Sequence, residues 1–199
     1  EGSTIMSKRF LTNRFKESSF RVRRNYGFLG TLYEDLRAKS VWFYGKATWK
    51  SIVRVAMTDG TLCTLLYRLS WTLIRWRLKP LGSVVHKLNS LLTGAVIGRG
   101  ARFGPGLVIL HSVGIVVNTA VKGGTNCVLE GNITIGAEKG ESPELGDNVF
   151  VGTGARIIGK VKVGNGARVG ANAVVLDDVP AFCAAVGIPA RAKEIEEEH

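Results

Sequence analysis

The chain has 199 residues, 45% of them hydrophobic, with 25 glycines against 5 prolines and a formal net charge of +11. That is enough for one medium domain or a small domain with an appendage, and glycine excess without proline points to many tight backbone corners rather than to a disordered chain. Three widely spaced cysteines, Cys63, Cys127 and Cys183, exclude a disulfide framework or metal knuckle and suit a reducing, cytoplasmic setting. The longest apolar run, Thr61 to Trp76, is interrupted by Arg68 and Arg75 and is too short to span a membrane.

Residues 1–30 read as a basic arm, with Lys8, Arg9, Arg14, Lys16, Arg21, Arg23 and Arg24 against Glu17 alone. No apolar leader segment is evident in it. Residues 31–94 read as α-helical. A short helix is predicted over 31–39, with Thr31 as its N-cap and acids in the first turn. Further helices are predicted over 47–57 and 61–77, the second with an apolar face of Leu62, Leu66, Leu69 and Leu73, ended by Pro80. A last helix, roughly 82–93, stops at Gly94. These faces suit helix-on-helix packing. A membrane-surface role rests only on Arg68, Arg75, Arg77, Lys79 and the neighbouring tryptophans.

From about 95 to 180 an aliphatic residue recurs every sixth position: Ile97, Phe103, Ile109, Ile115 and Val121, then Leu145, Val151, Ile157, Val163, Val169 and Val175. A small or β-branched residue follows four places later, as at Ala101, Ala155, Ala167 and Ala173. Such hexads mark a parallel β-helix, each coil a triangle of three short strands. The aliphatics stack along the axis at the inter-strand spacing of roughly 4.8 Å, and Gly or Asn takes the corners. The polar run Ala137 to Glu144 does not fit the axis and should protrude at a corner. Residues 181–199 are left as a C-terminal tail.

The segment Ile109-Leu110-His111-Ser112-Val113-Gly114-Ile115-Val116-Val117 resembles the LDHATGIVV of the serine acetyltransferase family of hexapeptide acyltransferases. Ile133-Thr134-Ile135-Gly136, Val151-Gly152-Thr153-Gly154-Ala155 and Val186-Gly187-Ile188-Pro189-Ala190-Arg191 are similar to that family's VTLG, IGAGA and AGVPAR. The resemblance implies a left-handed β-helix, acetyl-CoA as acyl donor, a homotrimer with sites between subunits, and His111 as general base. It also implies that Gly136, Ala137, Thr153 and Ala171 line the pantetheine arm and that Arg191, with Lys193, meets phosphates. Lys160 and Arg168 read as plain surface charges.

This sequence departs from the family at Leu110 and Val96, where acids are expected, and at Ser142, where a loop His is expected; one acid of the helical region survives as Asp59. A second resemblance, to colanic-acid-type exopolysaccharide O-acetyltransferases, rests on Glu34-Asp35-Leu36-Arg37-Ala38 and on Val116-Val117-Asn118. Together these favour a neutral sugar hydroxyl over zwitterionic serine, because unpaired charges are costly to desolvate. Asn118, Ser142 and Asp59 are then the expected acceptor contacts.

His111 is the sole histidine of the repeat region, His86 lying in a predicted helix and His199 closing the chain. A neutral imidazole can take the acceptor proton as the hydroxyl attacks the thioester and return it to the thiolate. Glu130, nineteen residues on, is the candidate to orient it from the next coil. One histidine is too few for the three-His metal site that some β-helix enzymes use, so no metal is expected. Nucleic-acid binding lacks an aromatic platform. Serine O-acetylation feeding cysteine synthesis is the alternative activity, and a non-catalytic scaffold the alternative of another class.

Overall fold

The computed structural model describes residues 26–195; the arm read from residues before 26, and His199, lie outside the described residues. Four helices come first. Helix α1 (Phe28–Tyr44) starts before the expected Thr31 and runs past 39. Gly27 holds the N-cap position, and the Thr31 hydroxyl instead donates back to the Gly27 carbonyl from inside the first turn. The acids of 31–39 are therefore mid-helix rather than at its start. Gly45, at φ 72°, closes it. Helix α2 (Trp49–Ala56) opens on a capping box between Thr48 and Ser51.

Helix α3 (Thr61–Arg75) and helix α4 (Lys79–Thr93) form an antiparallel pair. Pro80 does not end α3; it sits in the first turn of α4, where a missing N–H costs nothing. Gly94 closes α4 at φ 69°. The buried face of α3 keeps only Leu73 of the expected leucine row: Cys63, Tyr67 and Arg68 are buried with it, Leu66 and Leu69 are half-buried, and Leu62 is exposed. Arg68, counted above toward a membrane surface, is one of the most enclosed groups of the molecule. Among the described residues no helix is long and apolar enough to cross a membrane.

From Val96 the chain winds as a left-handed parallel β-helix of about four turns. Three parallel sheets form its faces. The first holds β1 (Val96–Ile97), β4 (Val116–Val117), β7 (Thr134–Gly136), β10 (Arg156–Ile158) and β13 (Val174–Val175). The second holds β2 (Arg102–Phe103), β5 (Lys122–Gly123), β8 (Glu144–Leu145) and β11 (Lys162–Val163). The third holds β3 (Val108–Ile109), β6 (Val128–Leu129), β9 (Phe150–Val151), β12 (Arg168–Val169) and β14 (Cys183–Gly187). Within the expected tail, β14 continues the third sheet, and β15 (Ala190–Glu194) folds back antiparallel on it.

The axial register departs from the simple six-residue count in the first coils. Ile97 pairs with Val117, not Ile115, and Phe103 pairs with Gly123, not Val121. Eight residues separate Ile109 from the next axial position. The count misleads because the axial residue and the residue two before it both point inward; Ile115 and Val121 are fully buried either way. At Gly123 the axis carries no side chain, and the Phe103 ring fills that space: an added Cβ would lie 2.3 Å from it.

The helices dock on the open first coil through polar groups. Arg68 donates to both carboxylate oxygens of Asp35, at 2.8 and 3.0 Å, and to the carbonyls of Phe103 and Gly104, each at 2.7 Å. Asp35 also accepts from the amides of Gly106 and Leu107. Burial pushes the Asp35 carboxyl up, opposed by Arg68 and those amides. The Tyr67 hydroxyl donates to the Ala101 carbonyl at 2.9 Å. Arg168 is not a plain surface charge either: it lies over the Phe150 ring, which stacks on Trp42 of α1.

Candidate active site

His111 lies outside the strands. It sits in the corner that carries the chain from the third sheet to the first. In the coils below, that corner has two residues between the axial aliphatic and a left-handed residue: Glu130-Gly131 before Asn132, Gly152-Thr153 before Gly154, Gly170-Ala171 before Asn172. The first corner has four, Leu110 to Val113, before Gly114. Backbone hydrogen bonds match Leu110 to Leu129 and Val113 to Asn132, so the extra pair is His111-Ser112.

This insertion turns the imidazole outward, leaving the side chain 68% exposed. It is anchored at both ends. The Ser112 hydroxyl donates to the Thr93 carbonyl at 2.9 Å, and the Gly114 amide to the Gly94 carbonyl at 3.1 Å. Gly131 lies beneath the bulge, where an added Cβ would come within 3.3 Å of the His111 Cβ.

The partner that meets His111 comes from the helical region. Its Nδ1 is 3.6 Å from an Asp59 carboxylate oxygen, an ion-pair distance longer than a hydrogen bond. Asp59 belongs to the turn between α2 and α3, and that turn presses directly on β3. A Cβ at Gly60, whose φ is 74°, would fall 2.2 Å from the Ile109 carbonyl oxygen, so only glycine fits. The Asp59 side chain is 83% exposed.

Glu130 is placed differently from the expectation. Its carboxylate accepts from the Thr153 amide at 2.8 Å and from the Thr153 hydroxyl, one coil further on. The nineteen-residue count assumed a regular coil; with His111-Ser112 inserted, the residue stacked on Glu130 is Leu110. Leu110 itself faces away from the imidazole. It is buried against Ala38 and Val108, beside Trp42. Its identity therefore reports how α1 packs, not what the site binds. Val96 sits on the first sheet opposite Val116.

The remaining candidates fall into two columns along opposite edges of the first sheet. Thr153 and Ala171 share the His111 edge, where the chain enters that sheet. Asn118, Gly136 and Ala137 lie on the edge where it leaves. There the Ser142 hydroxyl donates to the Asn118 side-chain oxygen at 3.2 Å, which also accepts from the Ala120 amide. The predicted protrusion is a small hairpin bridging Glu138 and Glu141. One chain does not bring the two columns together. Arg191 is on β15, 3.9 Å from Asp177. Cys127 is buried in the β-helix core, and burial pushes its thiol up to about 12, far from reactive. Among the described residues no group of His, Cys, Asp or Glu gathers as a metal would need.

Residues 142–177 match the family described as bacterial transferase hexapeptide (six repeats). The serine acetyltransferase of Helicobacter pylori strain J99 is 33% identical over 178 residues, which is 87% of this chain and 97% of the relative. That of Synechococcus elongatus is 37% identical over 136 residues, 66% of this chain but only 56% of the relative's length. Among solved structures, soybean serine acetyltransferase complexed with serine matches at a TM-score of 0.75 and 31% identity, over 83% of this chain and 69% of that one. A serine acetyltransferase in complex with CoA matches at 0.76 and 26%, over 83% and 69%.

These relatives overturn the expectation of a polysaccharide acceptor and the special closeness to exopolysaccharide enzymes. The error was to judge the site's acidity from the residues flanking His111. Leu110 points elsewhere, and the acid beside the imidazole arrives from the helical region, as Asp59. The chain belongs to the serine acetyltransferase family of hexapeptide-repeat acyltransferases.

Proposed function

We propose that the protein transfers the acetyl group of acetyl-CoA to the hydroxyl of free serine, with His111 as general base. The observation that carries this is the His111–Asp59 pair at the enlarged corner between the third sheet and the first. With Nδ1 facing Asp59, Nε2 is the nitrogen left to take the serine hydroxyl proton as that oxygen attacks the thioester carbonyl. The acetyl–sulfur bond then breaks, and the proton passes from the imidazole to the thiolate. No covalent acetyl-enzyme is required. The carboxylate of Asp59 orients the ring, stabilises the imidazolium that forms, and has further lone pairs for the serine ammonium.

The two columns support an assembled site. Packing the prisms threefold sets the His111 edge of one chain against the Asn118–Ser142 edge of the next, with Gly136, Ala137, Thr153 and Ala171 lining a groove for the pantetheine arm and Arg191 near its phosphate end. A homotrimer is therefore proposed as the working unit.

A thiol-release assay tests the reading. Free serine at millimolar concentration should be turned over at ordinary enzyme rates, and Asp59→Asn should lower kcat/KM for serine about 10- to 100-fold, within the range of lost charge-pair interactions. Turnover of glycan hydroxyls in preference to serine would reject it.

A further inference from the structure

Lys39 lies in the middle of α1 with only 3% of its surface exposed. Lysine is almost never so enclosed unless its ammonium is paired. Here the ammonium reaches out of the helix into the turn that carries Asp59. It donates to the backbone carbonyl of Asp59 and, at 2.9 Å, to the Thr61 hydroxyl. Thr61 in turn donates to the Val55 carbonyl at 2.7 Å, and Thr58 donates to the same carbonyl at 2.7 Å. These bonds link both ends of the turn, on a segment with only glycine at its contact with β3.

We propose that Lys39 is a positioning residue for acetyl transfer: its ammonium clamps the 57–61 turn from behind and so holds the Asp59 carboxylate against His111. The inference rests on the reading of His111 and Asp59 as the working pair. Lys39 touches neither imidazole nor substrate; it acts through the backbone of Asp59. A rigid clamp matters because the Asp59 side chain is itself exposed and makes its approach to His111 across 3.6 Å, with no bond of its own to fix it there. Misplacing such a group by an ångström is enough to cost a large factor in rate.

The clamp is also sensitive to pH. Burial brings the Lys39 ammonium down from 10.5 to about 8, against the attraction of Asp59 and of Cys63 on α3, the titratable groups facing it. Asp35, one turn earlier on α1, is committed to Arg68. Below about 8 the charged clamp is in place; as pH rises through that value its charge-assisted bonds weaken. Stability runs the other way. Between about 8 and 10.5 the unfolded chain holds a proton that the folded chain has released, so this side chain's contribution to stability rises with pH.

The test is a double-mutant cycle with Lys39→Met, which keeps the stem and removes the ammonium. In the wild-type background it should lower kcat/KM for serine about 10- to 100-fold and remove an alkaline limb centred near 8, while the KM for acetyl-CoA is unchanged. In the Asp59→Asn background the same change should cost less than about twofold, because there is no carboxylate left to place. Should Lys39→Met fail to fold, Thr61→Val, which keeps the ammonium but removes one anchor, carries the same cycle with an expected loss of about threefold. Equal losses in both backgrounds, or no loss in either, overturn the inference while Asp59→Asn remains impaired. If Asp59→Asn itself keeps full activity, the assignment of Asp59 has failed and the role of Lys39 falls with it.

Discussion

The helical layer and the β-helix are stabilised in opposite ways. Among the described residues, eleven of the twelve buried polar side chains belong to the segment from Asp35 to Thr93, and only Asn126 belongs to the coils. The coils are held by a stack of aliphatics that repeats rung after rung, whereas the helices are held by hydrogen-bonded charges and hydroxyls that each meet one particular partner. Stacked apolar rungs are interchangeable and give a stiff rod with no preferred location along it. Buried polar networks are specific in register and partner. The site lies where the two meet: a stiff rung presents His111, and the specifically docked layer delivers Asp59 to it.

Substitutions can break that contrast. The largest effect should come at the meeting point itself. His111→Ala should lower acetyl transfer by roughly 10²–10⁴ yet leave the unfolding temperature and coenzyme A titration unchanged, since the imidazole is exposed on an inserted corner. Retention of more than about a tenth of the wild-type rate, far above that range, would show that another group is the base. Next, Asp35→Ala should cost about 3–5 kcal/mol in denaturant unfolding, because it strands Arg68 as a buried unpaired charge. A cost below about 1 kcal/mol, the worth of an ordinary exposed ion pair, would mean that the helical layer does not depend on this network. Smallest is Ile157→Val, which removes one methyl from one rung; it should cost about 0.5–1.5 kcal/mol and leave kcat and KM alone. A kinetic effect from this change would show that the rod is less stiff than its core implies.

The coils were legible in the sequence because hexads repeat enough to be counted, and from Leu145 to Val175 the axial positions were correctly read. The helical region was legible only in outline. Its faces are specified by side chains such as Arg68 and Lys39, whose partners lie tens of residues away, and a hydropathy pattern ranks those residues as surface. The inserted pair His111-Ser112 escaped detection for a different reason. A strand places alternate residues on one face, so adding two residues preserves the in-and-out pattern while shifting the rung beneath. The same shift misdirected the search for a partner from Asp59 to Glu130. One signal could have exposed it: Gly123 is a poor axial residue, and it is affordable only because Phe103 sits over it.

The bonds from Arg68 and Tyr67 to the carbonyls of Ala101, Phe103 and Gly104 have a consequence for solubility. A parallel β-helix ends in a naked rung whose backbone is a ready template for another chain, and end-to-end growth into fibres is the natural hazard of such a shape. In this protein a guanidinium and a phenol occupy those acceptors before a second molecule can. At the opposite end β15 folds back antiparallel over β14 and occupies that edge. The polar docking of the helices therefore also serves as a stopper against polymerisation, and a chain trimmed of α1 to α4 would expose a rung competent to grow.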